Sequence, residues 1–523
     1  MSNGNKHVQH SKCSKLIISY LPAFSFVLAY LIFQYLIPDV SIIVSPSQTL
    51  RSLFFFCLFL VVIGFISYRI FRNHEKAGLV LWVIAELFLF SQPFFIFSIV
   101  ISVVSILIWT GLTKIRKKPL SLSYISFILS TLGFGLSIIV LVLDRIPINL
   151  YIRGIPEIAE PPKTGLVISE VPPDIYYIVL DAYARSDVLK ELFDFDNSEL
   201  TDYLTEKGFI IPTNNHSNYG ASEPSEATTL NIQYVQTLMP DAEGWPHWWL
   251  LTSLIENNAV KTMLGEVGYK SISIDVDYEV INDKKVDIYF QSLPIRLNAY
   301  EKYLIQTSPL SILSPIIEKF ASLNTYSSHR KIVNFAFLTL SEIPELDSPK
   351  FIYSHITSPH PPFVFDKYGQ PVEPSYEFSF YDGIDFPGSK EQYMMEYVDQ
   401  LQYINQQLIM AIDSILEQSE IPPVIVIMGD HGSRLYSDFA EPANSCISEG
   451  FSNFMALYLP GMDPAEVPSN ITSVNVFRLI FDYYFGTEFG MLENRYYFFS
   501  DEVIAYRFKD VGQSIDLDCE VVP

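Results

Sequence analysis

Two aspartates and three histidines in this chain stand at or just beyond the ends of short apolar runs. Asp181 closes the run Ile175-Tyr176-Tyr177-Ile178-Val179-Leu180, and Asp430-His431-Gly432 follows Val424-Ile425-Val426-Ile427-Met428-Gly429. A third run leads into His355-Ile356-Thr357-Ser358-Pro359-His360-Pro361. Hard carboxylate oxygens and an imidazole nitrogen brought together at neighbouring strand ends suit one divalent cation. Between the first run and the others lies Tyr219-Gly220-Ala221-Ser222-Glu223-Pro224-Ser225-Glu226-Ala227-Thr228-Thr229-Leu230-Asn231. A hydroxyl there precedes a small-residue helix start, where a bound cation would lower its pKa and make it a nucleophile. The start of a helix also favours an incoming phosphate or sulfate.

The elements that must hold these residues follow from the hydrophobic pattern. The segments 175–180, 271–274, 350–355 and 424–428 are apolar, rich in β-branched and aromatic residues, and of strand length. Residues 393–418 have helical periodicity and lead directly into the last of them. Strands alternating with helices predict a mostly parallel sheet covered on both faces, with ligands gathering at the carboxyl ends of its strands.

The first third of the chain is different. Residues 16–38 and 52–68 carry no charge, residues 78–113 carry one, Glu86, and residues 119–143 form a further apolar run. A helix needs about 20 apolar residues to cross a bilayer. The stretch 78–113 is too long for one crossing and is broken at Ser91-Gln92-Pro93, so about five spans are expected. Five spans place the basic groups Lys6, Lys12 and Lys15, then Arg69, Arg72 and Lys76, then Lys114, Arg116, Lys117 and Lys118 on the cytoplasmic side. Everything after Asp144 then lies outside. The expected organisation is a transmembrane helical domain at 1–150, a juxtamembrane linker at 151–173 that is rich in proline from 156 on, a catalytic domain at 174–485 and its extension at 486–523.

The formal net charge is −24, and the acidic residues lie almost wholly beyond residue 150. An acidic domain with no basic stripe excludes nucleic acid as its partner. Of the four cysteines, Cys446 and Cys519 lie outside the apolar third, and both a disulfide and two free thiols fit their placement.

The order of Asp181 after a strand, a hydroxyl segment some forty residues on, the histidine in Ser-Pro-His-Pro-Pro and the late Asp-His-Gly resembles the alkaline-phosphatase superfamily. It is most similar to the sulfatase-like branch, with its sulfatases, lipoteichoic acid synthases and phosphoethanolamine transferases. The resemblance covers about residues 174–485 and implies an α/β alkaline-phosphatase/sulfatase-like domain following the membrane spans. By that resemblance Asp181, Asp430 and His431 are metal ligands. Ser222 is the nucleophile and a further ligand, Thr228 is the alternative nucleophile, and His360 binds substrate or protonates the leaving group. One divalent ion is implied, Zn or Mn, with Mg or Ca as alternatives, since the two-zinc members use a later histidine and none follows His431.

The chain departs from the sulfatase signature in one informative place. That signature has arginine four residues after the nucleophile for conversion to formylglycine, and Glu226 stands there. The expectation is therefore a phosphoester hydrolase or phosphotransferase with a covalent serine or threonine intermediate, acting on a lipid or envelope glycopolymer. It would sit in a plasma or inner membrane with an extracellular or periplasmic catalytic domain. Sulfate-ester hydrolysis and an inactive envelope scaffold are the alternatives.

Blander roles stay open for several residues. Ser222 fits a helix N-cap, His355 competes with His360, and Arg185 with Asp187 fits either a support for Asp181 or a surface pair. His216 and His247 are expected at the surface or in the cleft.

Overall fold

The computed structural model describes residues 19–21, 23–24, 49–88, 156–162, 164–245, 248–295, 297–323, 325–439, 441–499, 506–515 and 519. The chain divides into two compact units, residues 1–154 with 295–323, and residues 155–294 with 324–523.

In the first unit, helix α1 spans Thr49–Phe71. Its 23 residues rise roughly 35 Å at 1.5 Å each, enough to cross a hydrocarbon layer of about 30 Å. It is the one helix among the described residues long and apolar enough to do so. The expected span 52–68 lies within it. Helix α2, His74–Phe88, covers the beginning of the next expected span, and the other three lie wholly or largely outside the described residues. Leu60, Leu81, Trp82 and Ala85 of these helices are buried with Tyr300 and Leu304. The latter two belong to a short helix, Ala299–Thr307, started by a capping box of Asn298 and Glu301. Residues 295–323 thus fall inside the range 174–485 in sequence and group with the apolar helices in space.

The second unit is built on a six-stranded sheet of β1 Ile175–Leu180, β2 Lys270–Ile274, β3 Ile288–Phe290, β4 Lys350–Ile356, β5 Val424–Met428 and β6 Met455–Tyr458. Its order is β3-β2-β4-β1-β5-β6. The first five strands run parallel, and β6 closes the edge antiparallel to β5. β1 is central and every residue of it is buried, which is why Ile-Tyr-Tyr-Ile-Val-Leu is continuous and not alternating.

Side chains still alternate between the faces of β1. Tyr176, Ile178 and Leu180 enter the large core that includes Leu401, Ile404 and Leu408. On the other face Tyr177 meets Phe477, and its hydroxyl donates to Glu226 at 3.1 Å. Helices α3 Ser222–Asn231 and α6 Ser473–Phe485 cover that side, and α4 Tyr326–Glu342 and α5 Lys390–Gln418 pack together on the other. Asp181, next in the alternation after Tyr177 and Val179, faces α3.

Neighbouring strands end together. Leu180 pairs with Ile356 of β4, and Val179 with Met428 of β5. The residues that follow these strands therefore emerge side by side. Beyond the sheet, Cys446 is disulfide-bonded to Cys519.

At the opposite end of the sheet, Lys350 is fully buried and its Nζ donates to Asp174 Oδ2 at 2.5 Å. Asp174 also accepts from Ser348 Oγ and from the Lys350 backbone N–H. Removing one member of a buried pair strands the other's charge at a cost of about 3–5 kcal/mol. Lys350→Met is expected to lower unfolding stability by that amount, read from the urea midpoint of the solubilised chain at unchanged m-value.

Candidate active site

The three strand ends converge. Asp181, Asp430 and His431 are buried, and one donor atom from each lies within 4.8 Å of the others. His431 Nε2 is 3.5 Å from Asp181 Oδ1, 3.5 Å from Asp430 Oδ2 and 3.4 Å from Ser222 Oγ. His431 Nδ1 donates to the Gly432 carbonyl at 2.8 Å, so the lone pair sits on Nε2 and points into the gap. Asp430 Oδ1 accepts from the backbone N–H groups of Ala182 and His431 at 3.0 Å each, which aims Oδ2 the same way.

Asp181 Oδ1 and Asp430 Oδ2 are both buried without a hydrogen-bond partner. Two orphaned carboxylate oxygens and an imidazole lone pair facing one gap fit a divalent cation.

The electrostatics agree with that fit. Burial works to raise the Asp181 pKa, but His360, His355 and His431 outweigh it and hold the carboxyl well below its usual range. Burial works to lower the His355 pKa, but its contact with Asp181 and the nearby Asp430 hold it up at about 9. Burial, with Arg434 adding to it against the pull of Asp430, lowers the His431 pKa and favours the neutral imidazole a metal needs.

Ser222 is the first residue of α3, and the N-cap is Ala221, which makes no side-chain cap. The N-cap role weighed for Ser222 is thus taken by its neighbour, and the serine hydroxyl turns to His431. Ser225 Oγ donates to the Asp430 carbonyl at 2.6 Å and ties α3 to the end of β5. Thr228 lies six residues further into the helix, roughly 9 Å along its axis.

Glu226, in the place of the signature arginine, is fully buried, and burial pushes its carboxyl up to about 8. It is uncharged at neutral pH and accepts from Tyr177.

The candidate histidines divide. His355, on β4, contacts Asp181 Oδ2 through Nε2 at 3.4 Å. His360 stands at the pocket wall, its Nδ1 donating to the Pro361 carbonyl at 2.5 Å and its Nε2 accepting from Arg434 Nη2 at 2.8 Å. Arg185, its own side chain largely buried, grips the half-exposed Asp187 through two hydrogen bonds of 2.7 and 2.8 Å and donates to the Asn215 carbonyl. His216, expected at the surface or in the cleft, is instead buried edge-on against Tyr496. The aromatic side chains packed over residues 215–219 take it out of solvent. His247 lies outside the described residues.

Three further groups face the same cavity of about 200 Å³, whose lining includes Asp181, Ser222 and His360. Arg434 Nε donates to Asp382 Oδ2 at 3.0 Å, leaving the guanidinium between Asp382 and His360. The loop carrying it is held by Glu449, which accepts from Ser433 Oγ, Leu435 N and Tyr436 N. Gly432 is needed in Asp-His-Gly because a Cβ there would come within 2.0 Å of the Glu449 carbonyl oxygen. The third group is Glu223 with Tyr278, whose hydroxyl donates to the Glu223 carboxylate. Arg434, four residues beyond Asp430, had a signal in the strand-end loop; Asp382 and Tyr278 lie in loops with no motif around them.

The sulfatase family model matches residues 177–483. The chain therefore belongs to the sulfatase family, within the alkaline-phosphatase superfamily, and is an enzyme of that superfamily. Among solved structures it is similar to the C-terminal periplasmic domain of EcEptC from Escherichia coli, at 10% identity and a TM-score of 0.42, covering 67% of this chain and 97% of that one. It is also similar to BT1596, a 2-O GAG sulfatase, at 14% identity and a TM-score of 0.39, covering 63% and 78%. A third is a protein in the alkaline phosphatase superfamily from Vibrio parahaemolyticus, at 10% identity and a TM-score of 0.38, covering 66% and 77%. No curated protein matches the sequence.

Asp430→Asn leaves Oδ1 to hold the Ala182 and His431 amides and removes one anionic oxygen from the gap. Elemental analysis of the purified variant is expected to show bound divalent metal reduced to about a tenth or less of the wild-type ratio. Its circular dichroism should be unchanged.

Proposed function

We propose that this chain is a membrane-anchored metal-dependent enzyme that cleaves or transfers a phosphate ester through a covalent intermediate on Ser222. The observation that carries the proposal is the Ser222 hydroxyl, at the start of α3, 3.4 Å from the Nε2 of His431 and beside two orphaned carboxylate oxygens. Asp181, Asp430, His431 and Ser222 would hold one divalent cation, Zn or Mn, with Mg or Ca as alternatives. When bound, it would lower the pKa of the serine hydroxyl and offset charge developing on the ester oxygens.

The chain's own groups divide the remaining work. Ser222 Oγ attacks phosphorus, a new Oγ–P bond forms, and the bond from phosphorus to the leaving oxygen breaks. The Arg434 guanidinium receives the anionic non-bridging oxygens, and the positive end of α3 favours them. When Arg434 turns from His360 Nε2 to the non-bridging oxygens, that nitrogen becomes free to take up a proton and give it to, or hydrogen-bond, the departing oxygen. Water, or a hydroxyl of a lipid or glycan, then attacks the phosphoserine and restores Ser222.

Phosphorus is favoured over sulfur because Glu226 replaces the arginine of the formylglycine signature, which leaves Ser222 an ordinary alcohol. A lipid or envelope-polymer substrate is favoured because α1 tethers the chain to a bilayer. On the five-span topology the catalytic unit lies on the extracellular or periplasmic side.

Ser222→Ala is expected to lower kcat on an aryl phosphodiester by about a thousandfold or more while metal binding persists. Intact-mass analysis of quenched wild-type enzyme should find a phosphoryl adduct on the peptide carrying Ser222. Undiminished turnover in the variant would remove the nucleophile assignment. Formylglycine at position 222 would point to sulfate esters, and a metal-loaded wild type inert to both ester classes would point to a scaffold.

A further inference from the structure

We propose that Thr357 and Tyr278 give the catalytic cavity a wall of hydrogen-bond acceptors, and that this wall selects phosphate esters whose alcohol part carries a hydroxyl or ammonium donor. The selection rests on this cavity being the substrate site, as in the functional reading above, and not on the covalent step at Ser222.

The wall begins at two adjacent parallel strands. β2 pairs with β4 with Ser273 opposite Tyr353, and four residues further along each chain come Asp277 and Thr357. Thr357 Oγ1 donates to Asp277 Oδ1 at 2.7 Å. The other carboxylate oxygen, Oδ2, lies 2.5 Å from Nδ1 of His329, in the first turn of α4. A carboxylate only accepts, so this nitrogen carries a hydrogen and donates it. His329 is fully buried, edge-on to Phe378 and Phe380, and its Nε2 has no hydrogen-bond partner among the described residues. Asp277 is therefore held from the α4 side with one oxygen on the imidazole and the other on the threonine.

A threonine hydroxyl has one hydrogen. With that hydrogen given to Asp277, Thr357 Oγ1 has only lone pairs to offer the cavity that the residue lines. Tyr278 repeats the arrangement, for it lines the same cavity and its hydroxyl hydrogen goes to Glu223. The Phe380 ring, 5.9 Å from that of Tyr278 and 6.3 Å from that of His360, links this wall to the histidine that serves the departing oxygen. Arg434 lines the cavity too and has donors only. The phosphoryl oxygens thus go to the guanidinium, and O–H or N–H groups of the alcohol part go to Thr357 and Tyr278. A ligand without such a group leaves these oxygens desolvated and unpaired, which is how a polar wall rejects an analogue.

The test measures Kd by isothermal titration calorimetry on the solubilised full chain loaded with Zn2+, using phosphonates, whose carbon–phosphorus bond is not an ester. 3-Hydroxypropylphosphonate and 3-fluoropropylphosphonate have nearly the same shape and differ in one donor. 3-Aminopropylphosphonate and its N-trimethyl analogue both carry a cationic nitrogen, and only the first has N–H donors. Wild-type protein should bind the donor-bearing member of at least one pair about tenfold more tightly. A preference in the first pair identifies an alcohol as the source of the donor, and one in the second an ammonium. Thr357→Val combined with Tyr278→Phe should bring that ratio to about one. In Asp277→Asn the amide oxygen takes the His329 hydrogen and the NH2 group faces Thr357, whose own hydrogen then turns to the cavity. The ratio should narrow about threefold or more in that variant. Each ratio is taken within one protein, so a general loss of affinity does not enter. No preference in either pair with the wild type, a preference that survives the double variant, or one that Asp277→Asn leaves unchanged would overturn the proposal. A wild type that shows the preference and forms no phosphoryl adduct at Ser222 supports the wall and counts against the covalent step alone.

Discussion

Two carboxylates buried a few ångströms apart with free oxygens facing one another are the constraint on which the catalytic unit turns. Asp181 and Asp430 end adjacent parallel strands, and each has one oxygen that no hydrogen bond satisfies. Like charges so close in a low-dielectric interior repel strongly unless a cation or protons lie between them. The surrounding chemistry favours the cation. Asp181 is held ionised chiefly by His360 and by its contact with His355, and the His431 lone pair is aimed into the same gap by the bond from Nδ1 to Gly432.

Much of the neighbouring structure can be understood as holding that gap open. Ser225 ties α3 to the Asp430 carbonyl, so the serine hydroxyl cannot move independently of the strand end. Glu449 folds the loop after His431 back so that Arg434 returns to the pocket. His355, one strand over, steadies the other oxygen of Asp181. The site is assembled on strand ends and a helix start, elements whose positions the packed core already dictates.

The parts visible in the sequence are those for which local pattern and position coincide. Ile-Tyr-Tyr-Ile-Val-Leu and Val-Ile-Val-Ile-Met announce buried parallel strands, and their following residues must meet at one edge of the sheet, so Asp181, Asp430 and His431 could be gathered before any coordinates. That α1 is long and apolar enough to cross a membrane is equally plain from its composition. What escaped depends on contacts distant in sequence. His216 is buried by Tyr496, some 280 positions on. Asp382 becomes a partner of Arg434 only through loop folding. Nothing in 295–323 distinguishes it from the domain around it until Tyr300 and Leu304 are found packed with Leu81 and Trp82. The antiparallel edge strand β6 is too short for its direction to be read from pattern.

The most direct test of the central claim is X-ray absorption at the metal edge of the purified full-length chain. Nearest scatterers that are oxygen and nitrogen at about 2.0–2.2 Å, with the outer-shell pattern of one imidazole that vanishes in His431→Ala, are the predicted result. A spectrum of a hydrated ion without imidazole, or one dominated by sulfur, would contradict it.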